Sequence, residues 1–96
     1  MAKFTTRVEL KNADAQDYQV LHAEMEKNGF KITVISDDGN NEYYLPNAEY
    51  NKEGNYTLQE VHDSAKEAAN KTKKSNAIFV TKSNSRTWSG LDKVIK

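Results

Sequence analysis

Apolar residues repeat along this chain with a period of two in some stretches and of three to four in others, and the order of those stretches limits the fold more than any single motif. From Lys3 to Lys11, Phe4, Thr6, Val8 and Leu10 fall on one side and Thr5, Arg7 and Glu9 on the other, which predicts a strand. Tyr18, Leu21 and Met25 then recur at helical spacing, behind Asn12 or Asp14 as an N-cap and ahead of Asn28-Gly29 as a stop. Phe30, Ile32 and Val34 alternate with Lys31, Thr33 and Ile35, a second strand rich in β-branched residues. Asp38-Gly39-Asn40 is turn chemistry that leads into a third strand over Glu42 to Leu45, with Pro46 marking its end. Asn47 to Tyr56 is polar and reads as a long loop or a short extra strand.

Thr57-Leu58-Gln59-Glu60 is a capping box, in which hydroxyl and carboxylate each satisfy an amide at a helix start. The helix it opens places Leu58, Val61, Ala65 and Ala68 or Ala69 on one face. Ala77 to Lys82 is the last clear strand, with Phe79 and Thr81 opposite Ile78 and Val80. Its two apolar sides predict a central position. Beyond Ser83 the chain is polar as far as Trp88, and then Leu91, Val94 and Ile95 suggest a short helix or an added strand. Strand, helix, strand, strand, helix, strand is the split βαβ order of an α+β, ferredoxin-like βαββαβ fold. That fold has an antiparallel four-stranded sheet with two helices on one face, here with first and last strands side by side in the middle. We expect one such domain over residues 1–96, with a C-terminal extension from about 83.

Composition narrows the chemistry by exclusion. The chain has no cysteine, which removes disulfides, thiolate nucleophiles and Cys-based zinc sites. His22 with Glu26 makes an i, i+4 pair, but no third ligand converges on it, and Asp37-Asp38 is ordinary turn chemistry. Neither a Gly-x-Ser-x-Gly elbow nor a glycine-rich phosphate loop is present. We therefore expect no metal and no cofactor. No stretch approaches the ~20 apolar residues of a membrane span, and Met1 to Leu10 lacks the apolar run of a signal peptide. No membrane partner and a cytoplasmic location are the corresponding expectations.

The charge is balanced in total, with 14 basic and 14 acidic residues, but not along the chain. Residues 1–65 carry six Lys/Arg against twelve Asp/Glu, and residues 66–96 carry eight against two. Lys66, Lys71, Lys73, Lys74, Lys82 and Arg86 make the closing third a candidate phosphate-docking end, although lysines in a last helical turn also suit the helix dipole. Metal-free RNA cleavage needs only a base near the 2′-hydroxyl and cations for the charged transition state. Arg7, Arg86 and His22 are the candidate catalytic residues. With first and last strands adjacent, Arg7 and Lys82 are expected within one or two ladder positions. Lys82, Lys73, Lys74, Tyr44 and Trp88 are the candidate RNA contacts, with Tyr44 exposed beside an inward Tyr43. Each has a plainer reading: Arg7 in a cross-strand ion pair, His22 on a helix surface, Trp88 closing the core.

Arg7-Val8-Glu9-Leu10, the run from Leu21 to Phe30, Leu45 to Gly54, the start of the second helix at Thr57 and Arg86-Thr87-Trp88 together resemble the GhoS-like family, the endoribonuclease antitoxins of type V toxin–antitoxin systems. The similarity covers nearly the whole chain and rests on core and turn residues. It implies a ferredoxin-like fold related in shape to the CRISPR-associated nucleases of the adaptation step. It also implies a bacterial protein that binds single-stranded RNA and cleaves a toxin messenger without a metal. Those CRISPR-associated relatives carry an aspartate ending strand one, whereas this strand ends in Lys11-Asn12-Ala13, with Asp14 the nearest carboxylate. The alternative is a non-catalytic ferredoxin-like protein-interaction or dimerisation module, a homodimer joined sheet to sheet through Thr5, Arg7, Thr33, Ile35 and Tyr44. A small-ligand sensor with a pocket between subunits is a further rival.

Overall fold

β1 (Ala2–Leu10), α1 (Ala15–Lys27), β2 (Thr33–Ile35), β3 (Glu42–Tyr44), β4 (Glu49–Gly54), α2 (Leu58–Asn70) and β5 (Asn76–Ser83) follow one another in a computed structural model that describes residues 2–95. β1 is the middle strand of a three-stranded sheet, antiparallel to β4 on one side and to β5 on the other. The alternation expected for β1 is present. Phe4, Thr6, Val8 and Leu10 are buried beneath the helices, while Arg7 and Glu9 face outward from the open side of the sheet.

Both helices deliver their apolar stripes to that buried face. Leu21 and Met25 of α1 and Val61, Ala65, Ala68 and Ala69 of α2 join Phe4, Val8, Leu10, Phe30 and Tyr50 in one core. The alanines let α2 approach closely. Leu58, which the helical spacing assigns to the same face, is exposed in the first turn, beyond the edge of the core. Each helix begins in a capping box, Asp14 with Asp17 and Thr57 with Glu60. α1 stops where Gly29 takes φ +86°, a value that L side chains rarely adopt.

The sheet differs from the expected one in three respects. It has three hydrogen-bonded strands, because β2 pairs with β3 as a separate two-stranded hairpin. Among the described residues, the segment entering β2 is joined to the main sheet by backbone pairing at one isolated bridge, from Lys31 to Asn51. Secondly, of the loop and the extra strand that the polar Asn47–Tyr56 stretch allows, the chain forms the strand, Glu49–Gly54, and it is a full member of the main sheet. Tyr50, Asn51 and Lys52 are buried there, and the Lys52 ammonium donates to the Asn28 carbonyl between the rings of Phe30 and Tyr56. A cation at the last carbonyls of α1 opposes the negative end of the helix dipole, and the two ring faces add to its attraction.

Thirdly, β5 is an edge strand, not a central one. Its second apolar side is explained by Phe79, which stands on the open face with 71% of its surface exposed. Beyond β5 the tail turns back across the open face and reaches the hairpin. Tyr44 and Val94 donate backbone bonds to Asp92 and Glu42, and Tyr43 bridges Lys93. The added strand expected from Leu91, Val94 and Ile95 is thus present as a single bridge.

Candidate functional site: the Arg7–His22 cleft

Arg7 projects from the open face of β1 opposite Glu49 of β4, and its guanidinium lies 3.6 Å from that carboxylate. Its side chain is 56% exposed. An exposed pair at that distance contributes about 0–1 kcal/mol, so an incoming phosphate competes with it on favourable terms. The plainer reading of Arg7 as a cross-strand pair is therefore also what the geometry shows, in a weak form.

Arg7, Glu9, Tyr18, Gln19, His22 and Asn47 are among the residues that line a cleft of about 580 Å³ between β1, α1 and the entry to β4, so one carboxylate shares it with the guanidinium. His22 also borders a second cleft, of about 390 Å³, with Glu26, Phe30 and Tyr50. Its Nδ1 lies 2.6 Å from the Tyr50 hydroxyl, so the ring is half-buried and oriented and not simply lying on a helix surface. Burial pushes the Tyr50 phenol well above its usual range, so it stays protonated. When the hydroxyl accepts from Nδ1–H, Nε2 holds the lone pair that a general base requires; when it donates to Nδ1, Nε2 carries the proton.

Burial also lowers the pKa of His22 below 6.5. An unfolded chain then binds a proton near pH 6.5 that the folded chain refuses until lower pH. The stability this gives is fully present above 6.5, declines as pH falls through that value, and levels off below the folded pKa. Urea midpoints measured between pH 7.5 and 5 should fall for the native chain, and His22→Gln should flatten that part of the curve. An equal fall in both would contradict the burial account.

Arg86 is held quite differently from Arg7. Its Nη1 donates to Asn51 Oδ1 at 2.8 Å and to Thr5 Oγ1 at 3.3 Å, and Nη2 lies 3.7 Å from Glu53. Only 17% of the side chain is exposed. It pins the returning tail to the open face, two residues along β1 from Arg7, and lies outside the cleft shared by Arg7 and His22. Trp88 follows it and packs edge-on to Tyr43 at 5.7 Å, so it closes the hairpin against the tail. Tyr44, its neighbour, is exposed.

The lysines do not converge on this cleft. Phe79 pairs with Arg7 and Lys82 with Phe4, so Lys82 sits three ladder positions away. Paired residues share a face, which puts Lys82 on the helix side while Arg7 is on the open side. The expected Arg7–Lys82 juxtaposition is therefore corrected. Lys73, with φ +62°, and Lys74 lie in the turn after α2 at the opposite end of β5. There Lys74 approaches Asp17 at 3.8 Å. The proposed dimer face is likewise divided: Thr5 is contacted by Arg86, while Thr33, Ile35 and Tyr44 belong to the separate hairpin. Tyr50 and Asn47 escaped the sequence reading because the strand that carries Tyr50 has no apolar period.

Among the described residues no three His, Asp or Glu side chains gather as a metal site, and no helix is long and apolar enough to cross a membrane. No protein-family model, curated protein or solved structure matches the chain.

Proposed function

We propose that the chain is a ferredoxin-like domain of GhoS-like type that binds single-stranded RNA at the Arg7–His22 cleft and cleaves it without a metal ion. The observation that carries this reading is the shared cleft: an exposed guanidinium and a neutral imidazole line one concave surface wide enough for a nucleotide. In the ferredoxin-like reading the Lys31 segment is the fourth strand, giving the order β5-β1-β4 followed by the strand that enters β2. The cytoplasm, where messenger RNA is found, is the matching location.

Arg7 takes the scissile phosphate, displacing Glu49, and neutralises the charge that builds on the phosphorane. His22 Nε2 removes the proton of the neighbouring 2′-hydroxyl, whose oxygen attacks phosphorus. The 5′-oxygen leaves and takes a proton from water, so the products end in a 2′,3′-cyclic phosphate and a 5′-hydroxyl. Tyr50 is a positioning residue that sets the ring plane of His22. Arg86 is assigned to the tail strap, because its two terminal nitrogens already meet Asn51, Thr5 and Glu53 and the side chain is largely desolvated, with Nε buried and unpaired. Lys73, Lys74 and Lys82 lie too far apart to act at one nucleotide and are left as outlying phosphate contacts, with Tyr44 as the exposed stacking ring and Trp88 held in the hairpin.

The binding half of this reading is tested by RNA affinity as a function of salt. Arg7→Ala should weaken binding of a short single-stranded RNA and lower the slope of log affinity against log salt by about one. An unchanged slope would mean that Arg7 meets no phosphate.

A further inference from the structure

β5 is the outer strand of the main sheet, eight residues long from Asn76 to Ser83. Among the described residues its backbone pairs with β1 alone, and the tail that leaves Ser83 crosses toward β4, away from this edge. Edge strands in monomers are commonly shielded by charges, proline, bulges or a covering segment. From Ala77 to Thr81 this edge has none of these: the sequence is Ala-Ile-Phe-Val-Thr, with one charge, Lys82, near its end. Phe79 at the middle is 71% exposed, the highest value among the aromatic residues of the core domain's surface.

We propose that β5 is a homodimerisation edge, where a second copy of this chain adds its own β5 in antiparallel fashion to make one continuous six-stranded sheet. A two-fold axis through Phe79 fits the sequence. It sets Ile78 opposite Val80 of the second copy, Ala77 opposite Thr81 and Asn76 opposite Lys82. No like charges oppose each other within the paired strands, and the two Phe79 rings meet on the open face. Moving the axis to Val80 would set Lys82 against Ile78 and leave each Phe79 beside a threonine, which buries less apolar surface. The self-complementary run is the reason to assign the edge to a second copy and not to an unrelated peptide. This surface differs from the sheet-to-sheet face read from the sequence, and it stands apart from the RNA reading.

Sedimentation of the native chain from about 1 µM to about 1 mM, the range in which small interfaces dissociate, should show a monomer–dimer equilibrium. Phe79→Glu, which faces Arg7 within the monomer but its own copy across the two-fold axis, should weaken association by about tenfold or more while leaving the monomer folded, since Phe79 makes no core contact. The absence of cysteine allows a direct test of register. Ala77→Cys mixed with Thr81→Cys should form mixed disulfide dimers under mild oxidation, because opposed Cα atoms lie within disulfide reach. Neither variant alone should do so, since like positions are then about 13 Å apart along the strand. A native chain that sediments as 10.9 kDa throughout would overturn the proposal. So would unweakened association of Phe79→Glu, or mixed variants that cross-link no better than either alone.

Discussion

His22→Gln is expected to lower RNA cleavage about 10²–10⁴-fold, the usual contribution of a general base, while RNA affinity changes little. Glutamine keeps a polar group within reach of Tyr50 but cannot accept the 2′-hydroxyl proton and hand it on. The native rate should rise with pH with its midpoint below 6.5, because burial holds the imidazole neutral from a lower pH than usual. Tyr50→Phe should keep the reaction but alter that profile, since the ring loses the 2.6 Å contact that orients it. Cleavage assays in the presence of EDTA, with purified variants and a single-stranded transcript, check all three. A His22→Gln protein as active as the native one would remove the base from the mechanism.

Phe4→Ala is expected to cost about 3–5 kcal/mol, a large part of the roughly 5–15 kcal/mol that stabilises a domain of this kind. Phe4 is fully buried on the middle strand and meets Tyr56 edge-on at 6.4 Å. Its removal opens a void where β1 faces the core, and neither neighbouring strand can close over it without breaking the ladder. Urea unfolding should show the loss as a lower midpoint at an unchanged slope. A cost below about 1 kcal/mol would mean that the core collapses around the site or is centred elsewhere.

What could be read from the sequence was mostly local. The N-cap at Asp14, one of two residues offered for it, the capping box at Thr57, the glycine stop at Gly29 and the hairpin turn at Asp38-Gly39 depend on near neighbours, and all four are present where their residue types place them. The alternation of β1 was equally plain, since one face is fully covered and the other is not. β4 was obscured because its buried residues include Tyr50, Asn51 and Lys52, each of which has a side-chain partner distant in sequence: His22, Arg86 and Asn28. Period-two patterning also cannot distinguish a strand covered on both sides from an edge strand that carries an exposed ring. That is why Phe79 suggested a central β5.

The site followed the same division. Arg7 was legible as an outward group on an amphipathic strand. The half-buried state of His22 was not, because it depends on Tyr50 in the strand that had no signal. Arg86 was visible as a cation, yet only the tertiary structure reveals that Asn51, Thr5 and Glu53 already engage it. Lys82 was displaced from Arg7 by the register of the β1–β5 ladder, which composition does not fix.

A titration of a short single-stranded RNA into the full chain, followed through the His22 imidazole and Arg7 guanidinium resonances, tests the cleft most directly. We predict saturable shifts of both, together with Gln19 and Asn47, and little change in the Arg86 side chain. Shifts confined to the Lys73–Lys74 turn or to the hairpin, with His22 and Arg7 unmoved, would contradict it.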